Sequence, residues 1–216
     1  MKSTELVRRW MATAGTHTRL LGEELTGRYA EPHRRYHTLD HLDTVLDLVD
    51  ELAPLHADDP DAVRLAAWFH DAVYDPEGGD SEERSARLAQ RMLADTELPL
   101  ETVEEVARLV RLTRSHDPAE DDRNGQVLCD ADLAILGADP ADYAAYAAAV
   151  REEYFFVPDE FFRSGRAELL DRLLTLPTLF HTPEARARFE ARARHNVETE
   201  LTLLRAGASD AADPTA

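Results

Sequence analysis

The sequence predicts an all-α fold, and three observations carry that expectation. Apolar residues recur with helical spacing almost from end to end. Segments that alternate apolar and polar residues with period two are missing. β-branched residues are sparse, with Ile135 the one isoleucine, so a substantial sheet would lack its usual residues. The pattern suits one domain over residues 1–205, a bundle of about seven to nine helices, and a short disordered tail over 206–216.

The elements follow in order. Leu39, Leu42, Val45, Leu46, Val49 and Leu52 keep the 3.6-residue rhythm. Thr38 is an eligible N-cap for that helix; if the helix starts earlier, His37 and His41 share one face. Leu65-Ala66-Ala67-Trp68-Phe69 is an apolar run that ends in His70-Asp71. Asp75-Pro76-Glu77-Gly78-Gly79 then reads as a loop. Asp80 with Glu83 resembles a helix start before Ala86, Leu88, Ala89 and Leu93, and Thr102 with Glu105 a capping box before Val106, Leu109 and Val110. Residues 116–125 form a polar loop. Asp139-Pro140 and Thr182-Pro183 look like N-caps followed by proline at the first helical position. The last helix carries Phe189, Ala193, Val197, Leu201 and Leu204, and from Ala206 the composition is that of a tail.

Composition narrows the function. A chain of 216 residues with 44% hydrophobic residues can bury a sizeable core. One cysteine excludes an internal disulfide and suits the cytoplasm. No apolar stretch approaches the ~20 residues of a membrane span, and the first residues lack a signal-peptide core. The net charge is −19, from 43 acids and 24 bases, a field that repels nucleic-acid backbones and anionic lipid. A small phosphorylated substrate stays compatible, because a cation and a few arginines can reverse the potential locally. Lys2 is the only lysine, which points to a GC-rich coding bias.

Chemistry concentrates in three segments: Tyr36-His37-Thr38-Leu39-Asp40-His41, His70-Asp71, and Cys129-Asp130-Ala131-Asp132-Leu133. Imidazole with carboxylate suits a divalent first-row metal (Mn, Fe, Co, Ni or Zn) or Mg, with positions left open for water and substrate. A His-Asp pair at a helix end lets both side chains lean toward one point. Asp130 and Asp132 stand ~200° apart on a helix, so only one should face such a centre.

This order resembles the HD superfamily of metal-dependent phosphohydrolases, whose ligand signature is H…HD…D on a helical core. The resemblance covers Tyr36 to Leu136. It implies that His41, His70, Asp71 and one of Asp130 and Asp132 bind one metal ion. Asp132 is preferred, because it follows a small residue and precedes a leucine. A longer likeness adds Phe69 to Asp75, Glu82 to Ala86, Arg151 to Tyr154 and Ala193 to Asn196, and resembles a bacterial group of predicted HD phosphohydrolases of undefined substrate. Tyr36-His37 with His41 also resembles the first motif of cyclic nucleotide phosphodiesterases, which implies that His37 protonates a leaving oxygen. Thr38 departs from that motif, which has asparagine there.

Further candidates flank these motifs. Asp75 and Glu83 are candidate catalytic carboxylates, with turn and capping roles as the alternative. His116 is either substrate-facing or a helix C-cap, and a single histidine between His70-Asp71 and Asp132 argues for one metal rather than two. Arg34, Arg35, Arg151 and Arg194 could meet phosphate oxygens, Arg35 and Arg151 foremost, with Tyr154 bordering the pocket. Tyr143, Tyr146 and Val150, like Trp68, Phe69, Phe155, Phe156, Phe161 and Phe162, read as core, and Cys129 as a small buried apolar residue. The expected function is hydrolysis of a small phosphate ester, nucleotides included, as a phosphomonoesterase or phosphodiesterase and as a monomer or homodimer. The alternatives are a catalytically silent sensor of a nucleotide or phosphorylated metabolite, and a diiron oxidative enzyme needing more ligands than these.

Overall fold

The computed structural model describes residues 1–210, with side chains to residue 206. These residues form ten α-helices and two short 3-10 turns, with no strand among them, slightly more helices than expected. The tail expected over 206–216 falls mostly outside the described residues, and the last helix reaches Asp210. Among the described residues, no helix is long and apolar enough to cross a membrane. The chain divides into two compact units, Met1–Asp132 and Leu133–Ala216.

The first unit begins with α1 (Lys2–Ala14) and α2 (Arg19–Tyr29). Gly15 separates them at φ 91°, a backbone that glycine adopts without penalty. Trp10 is fully buried and satisfies its indole N–H on Thr18, at 3.0 Å from the carbonyl and 2.9 Å from Oγ1. Its ring meets Trp68 and Phe69 edge-on, at 5.5 and 5.9 Å between centroids. This cluster anchors the residues immediately before His70. Gly22 on α2 makes room for it: a Cβ there would stand 2.7 Å from Trp10 Cδ1. Gly22→Ala is therefore expected to cost about 1–3 kcal/mol in a denaturant melt, because overpacking outweighs the helix propensity gained.

Next come α3 (Leu39–His56), α4 (Pro60–Phe69), α5 (Ser81–Leu93), α6 (Leu100–Leu112) and α7 (Arg123–Leu133). Thr38 caps α3, its hydroxyl accepting from the Asp40 N–H at 3.3 Å. Asp59 caps α4 by accepting from the Ala62 N–H at 3.0 Å, with Pro60 at the first helical position. From Ala62 to Phe69 every α4 residue except Arg64 is buried, so this helix runs through the core.

Two expected helix starts differ in detail. α6 begins at Leu100 after Pro99, so Thr102 lies inside the first turn and makes no capping box with Glu105. Glu105 instead binds Arg108 and Asn124. Asp80 does precede α5, but its side chain makes no cap bond and Glu83 is held by arginines.

The second unit holds a 3-10 turn (Ala134–Gly137), α8 (Pro140–Glu153), α9 (Asp159–Thr175) and α10 (Pro183–Asp210). Both expected proline starts are found, at Pro140 and Pro183. Buried Asn196 ties α10 to the turn by donating to the carbonyls of Leu136 and Ala138, at 2.8 and 2.9 Å. Buried Arg166 ion-pairs with Glu200 at 2.9 Å and joins α9 to α10. Tyr143 and Val150 are core residues, as expected. Phe155, Phe156 and Phe161 are not: they are exposed, because the first two fall in the turn after α8 and the third opens α9 on its outer side.

Candidate metal centre

All residues of the centre belong to the first unit. His41 sits in the first turn of α3, just inside the Thr38 cap. His70 is the C-cap of α4, its N–H bonded to the Ala66 carbonyl at 2.9 Å, and Asp71 follows just outside the helix. Asp132 lies in the last turn of α7. His70 Nε2 and Asp71 Oδ2 are 3.2 Å apart.

The donor atoms converge. His41 Nε2 and His70 Nε2 are 3.1 Å apart. Asp71 Oδ2 is 3.5 Å from His41 Nε2. Asp132 Oδ1 is 3.4 Å from His41 Nε2 and 3.6 Å from His70 Nε2. Neighbouring donors bound at ~2.1 Å to one cation stand roughly 3.0 Å apart in an octahedron and 3.4 Å in a tetrahedron. These edges therefore fit a shared cation. His41, His70 and Asp132 form a group able to hold one, and Asp71 lies against both histidines beside that group.

The tautomer agrees. His70 Nδ1 lies 2.7 Å from the Ala67 carbonyl, which can only accept, so Nδ1 carries a hydrogen and Nε2 is the nitrogen that would offer a lone pair to a cation. In the protein alone, burial works against a charged His70, yet Asp71 and Asp132 outweigh it and hold its pKa up at about 9. His41 is also raised, its burial outweighed by hydrogen bonds to Asp132 and Asp71. Burial favours the neutral acid at Asp71 and Asp132, but His70 above all holds both well below the usual carboxylate range. Two ionised carboxylates beside two imidazoles make a charge-matched site for a divalent cation.

The side chains of His41 and His70 are 3% and 1% exposed, whereas Asp71, Asp132, His37 and His116 are 15–20% exposed. Imidazoles form the floor, and the open side carries the carboxylates and two further histidines. His37 precedes the Thr38 cap, so it is not on the α3 face with His41. It stacks on Tyr74 at 4.2 Å, meets Tyr36 edge-on at 4.9 Å, and holds Nε2 4.0 Å from Asp71 Oδ2. His116 Nε2 is 2.8 Å from Asp132 Oδ2.

Behind the centre stand two residues whose role the sequence did not reveal. Arg34, fully buried in its side chain, donates to the carbonyls of Asp71 (2.8 Å), His37 (3.1 Å) and Ala72 (3.4 Å), and pairs with Glu31. Tyr29 donates to the Trp68 carbonyl at 3.2 Å and accepts from the Asp71 N–H at 3.3 Å. Together they satisfy backbone groups that the end of α4 leaves open. Ser85 fastens the next residue, accepting from the Val73 N–H at 3.0 Å and donating to its carbonyl. Tyr36 and Tyr74, the ring partners of His37, were also not singled out as site residues. An arginine beside Tyr36-His37 was the one visible signal, and it pointed equally to phosphate.

The other candidates are engaged with other partners. Asp75 organises its own turn, accepting from the Glu77 N–H and from Arg84. Glu83 is gripped by Arg111 and Arg87, which depress its pKa to about 2 and leave a weak base. Arg35 is exposed and donates to the carbonyls of Pro32 and Arg34. Arg151 and Tyr154 belong to the second unit, where Arg151 donates to the Tyr154 and Val157 carbonyls and lies over the Phe162 ring. Arg194 likewise holds Glu190 and the Leu176 carbonyl. Cys129 is buried, and burial pushes its thiol pKa well up, as suits an inert apolar residue.

Residues 38–134 match the family model of the HD domain. The chain carries an HD domain. Its matched span opens on the α3 cap and closes just past Asp132, so all four converging residues lie within the HD domain. His37, Arg34 and Tyr29 lie before it. Neither curated proteins nor solved structures gave a significant match. HD domains bind divalent metals and are typical of metal-dependent phosphohydrolases.

Proposed function

We propose that this protein is a metal-dependent phosphohydrolase acting on a small phosphate ester, with nucleotides the first class to try. The group of His41, His70 and Asp132 within the HD domain, with Asp71 against both histidines, carries the reading. A bound divalent cation, of the first row or magnesium, would supply Lewis acidity, lowering the pKa of water and polarising a phosphoryl oxygen. The chain does the rest. His41 and His70 hold the cation from a dry floor, and Asp71 and Asp132 hold it from the open side. His37, clamped between Tyr74 and Tyr36 at that side, is placed to keep a proton at Nε2 for the leaving oxygen. The charge of −19 favours a small substrate over a polyanion. We place the protein in the cytoplasm, as a monomer or homodimer.

The test is metal analysis of the purified protein with turnover of nucleotides and generic phosphate esters. His37→Ala is expected to lower kcat by roughly 10²–10⁴-fold with metal content unchanged. Loss of metal in that variant would make His37 a ligand instead. Tight nucleotide binding without turnover under any of these metals would mark a sensor and overturn the reading.

A further inference from the structure

Resting on the metal site proposed above, we infer that His116 is a positioning residue for Asp132. Its task is to hold one carboxylate oxygen so that the other faces the cation. Three observations converge on this assignment. The first is a division of labour within one carboxylate. Asp132 Oδ1 faces His41 and His70, at 3.4 and 3.6 Å, while Oδ2 faces His116 Nε2 at 2.8 Å. An ionised carboxylate can only accept, so His116 donates from Nε2–H. A free carboxylate could swing or turn both oxygens toward a cation; this one is tied at its far oxygen.

The second is the backbone. His116 ends the turn after α6, its N–H bonded to the Leu112 carbonyl at 3.0 Å, with φ at 51°. Glycine is the usual residue in that left-handed position after a helix. Among the described residues His116 is the one non-glycine at positive φ. Folding alone would be served as well by glycine, so an imidazole here serves something beyond the turn.

The third is symmetry of support. His70 is oriented through its second nitrogen by the Ala67 carbonyl, and Asp132 through its second oxygen by His116. Groups that orient ligands in this way commonly change metal affinity 10–100-fold when removed.

The test separates the turn from the centre. His116→Gly suits the left-handed backbone, which offsets part of the lost bond to Asp132, so the variant should still fold cooperatively. Its affinity for Mn²⁺, followed through the EPR signal of the free ion, should fall by tenfold or more. His116→Gln places a donor at similar reach and should recover most of that loss. Metal content should be one ion per chain in the wild type. Unchanged Mn²⁺ affinity in His116→Gly would overturn the assignment, as would two ions falling to one, which would make His116 a ligand itself. A wild type that binds no Mn²⁺ or other divalent ion would instead sink the metal site on which the assignment rests.

Discussion

His70→Ala is expected to abolish metal binding and, with it, phosphohydrolase activity, by on the order of a thousandfold or more. His70 Nε2 lies within 3.1–3.6 Å of His41, Asp71 and Asp132, so it touches every other member of the set. Without it, two carboxylates face one imidazole across a half-buried gap, and an excess of negative charge replaces a matched site. Metal analysis after purification in the presence of Mn²⁺ reads the loss directly, and circular dichroism should show the helices retained. A variant that keeps its metal would move the centre away from His70.

The same residue sets a pH dependence in the metal-free protein. The folded pKa of His70 is raised from 6.5 to about 9 by Asp71 and Asp132 against the pull of burial. A raised pKa stabilises the fold fully below about 6.5 and loses that contribution as pH climbs through about 9. The metal-free wild type should therefore lose thermal stability between those values, and His70→Ala should show a smaller decline, with His41 left to contribute. Cation binding near neutral pH should release protons, because the cation takes the place that the imidazole proton held.

Arg34→Ala is the second large effect, and it concerns the frame. We expect a loss of about 3 kcal/mol or more in denaturant melts, with weakened metal binding in the protein that remains folded. The guanidinium donates to three carbonyls, of His37, Asp71 and Ala72, from a side chain with no exposure. Two of those carbonyls belong to the turn that aims the His70-Asp71 pair, and the third to the residue beside the α3 cap. Alanine leaves all three without their donor and removes the cation lying over Tyr29 and Tyr74, at 5.1 and 5.4 Å. Lysine keeps the charge but offers no planar fork, so Arg34→Lys should recover only part of the loss. An Arg34→Ala variant as stable as the wild type would show that these carbonyls find other partners.

The positions of His41, His70 and Asp132 were legible because they lie on or at the end of regular helices with strong local signals. The apolar rhythm of α3 and the continuous apolar run of α4 locate His41 and His70-Asp71 without any knowledge of packing. The 100° step between helical residues separated Asp130 from Asp132, but a rotation alone could not tell which faced the histidines. The structure gives that place to Asp132, while Asp130 is buried. Glu83 and Asp75 illustrate the opposite case. Their sequence context invites catalysis, yet Arg111, 28 residues from Glu83, reaches its carboxylate across two helices. Such pairs leave no periodic trace.

What the residues alone determined was the helical class, the HD-type motif and the kind of ion it suits, since these depend on spacing along one helix and on donor chemistry. What only the folded chain decided was the use of each polar side chain. Arg34 was spent on carbonyls, His116 on an oxygen 16 residues away, and His37 was left at the rim by the Thr38 cap. A helix repeats its geometry every turn, so its faces can be read from the sequence. A hydrogen bond across a loop depends on where two helices end in space, and no local pattern records that.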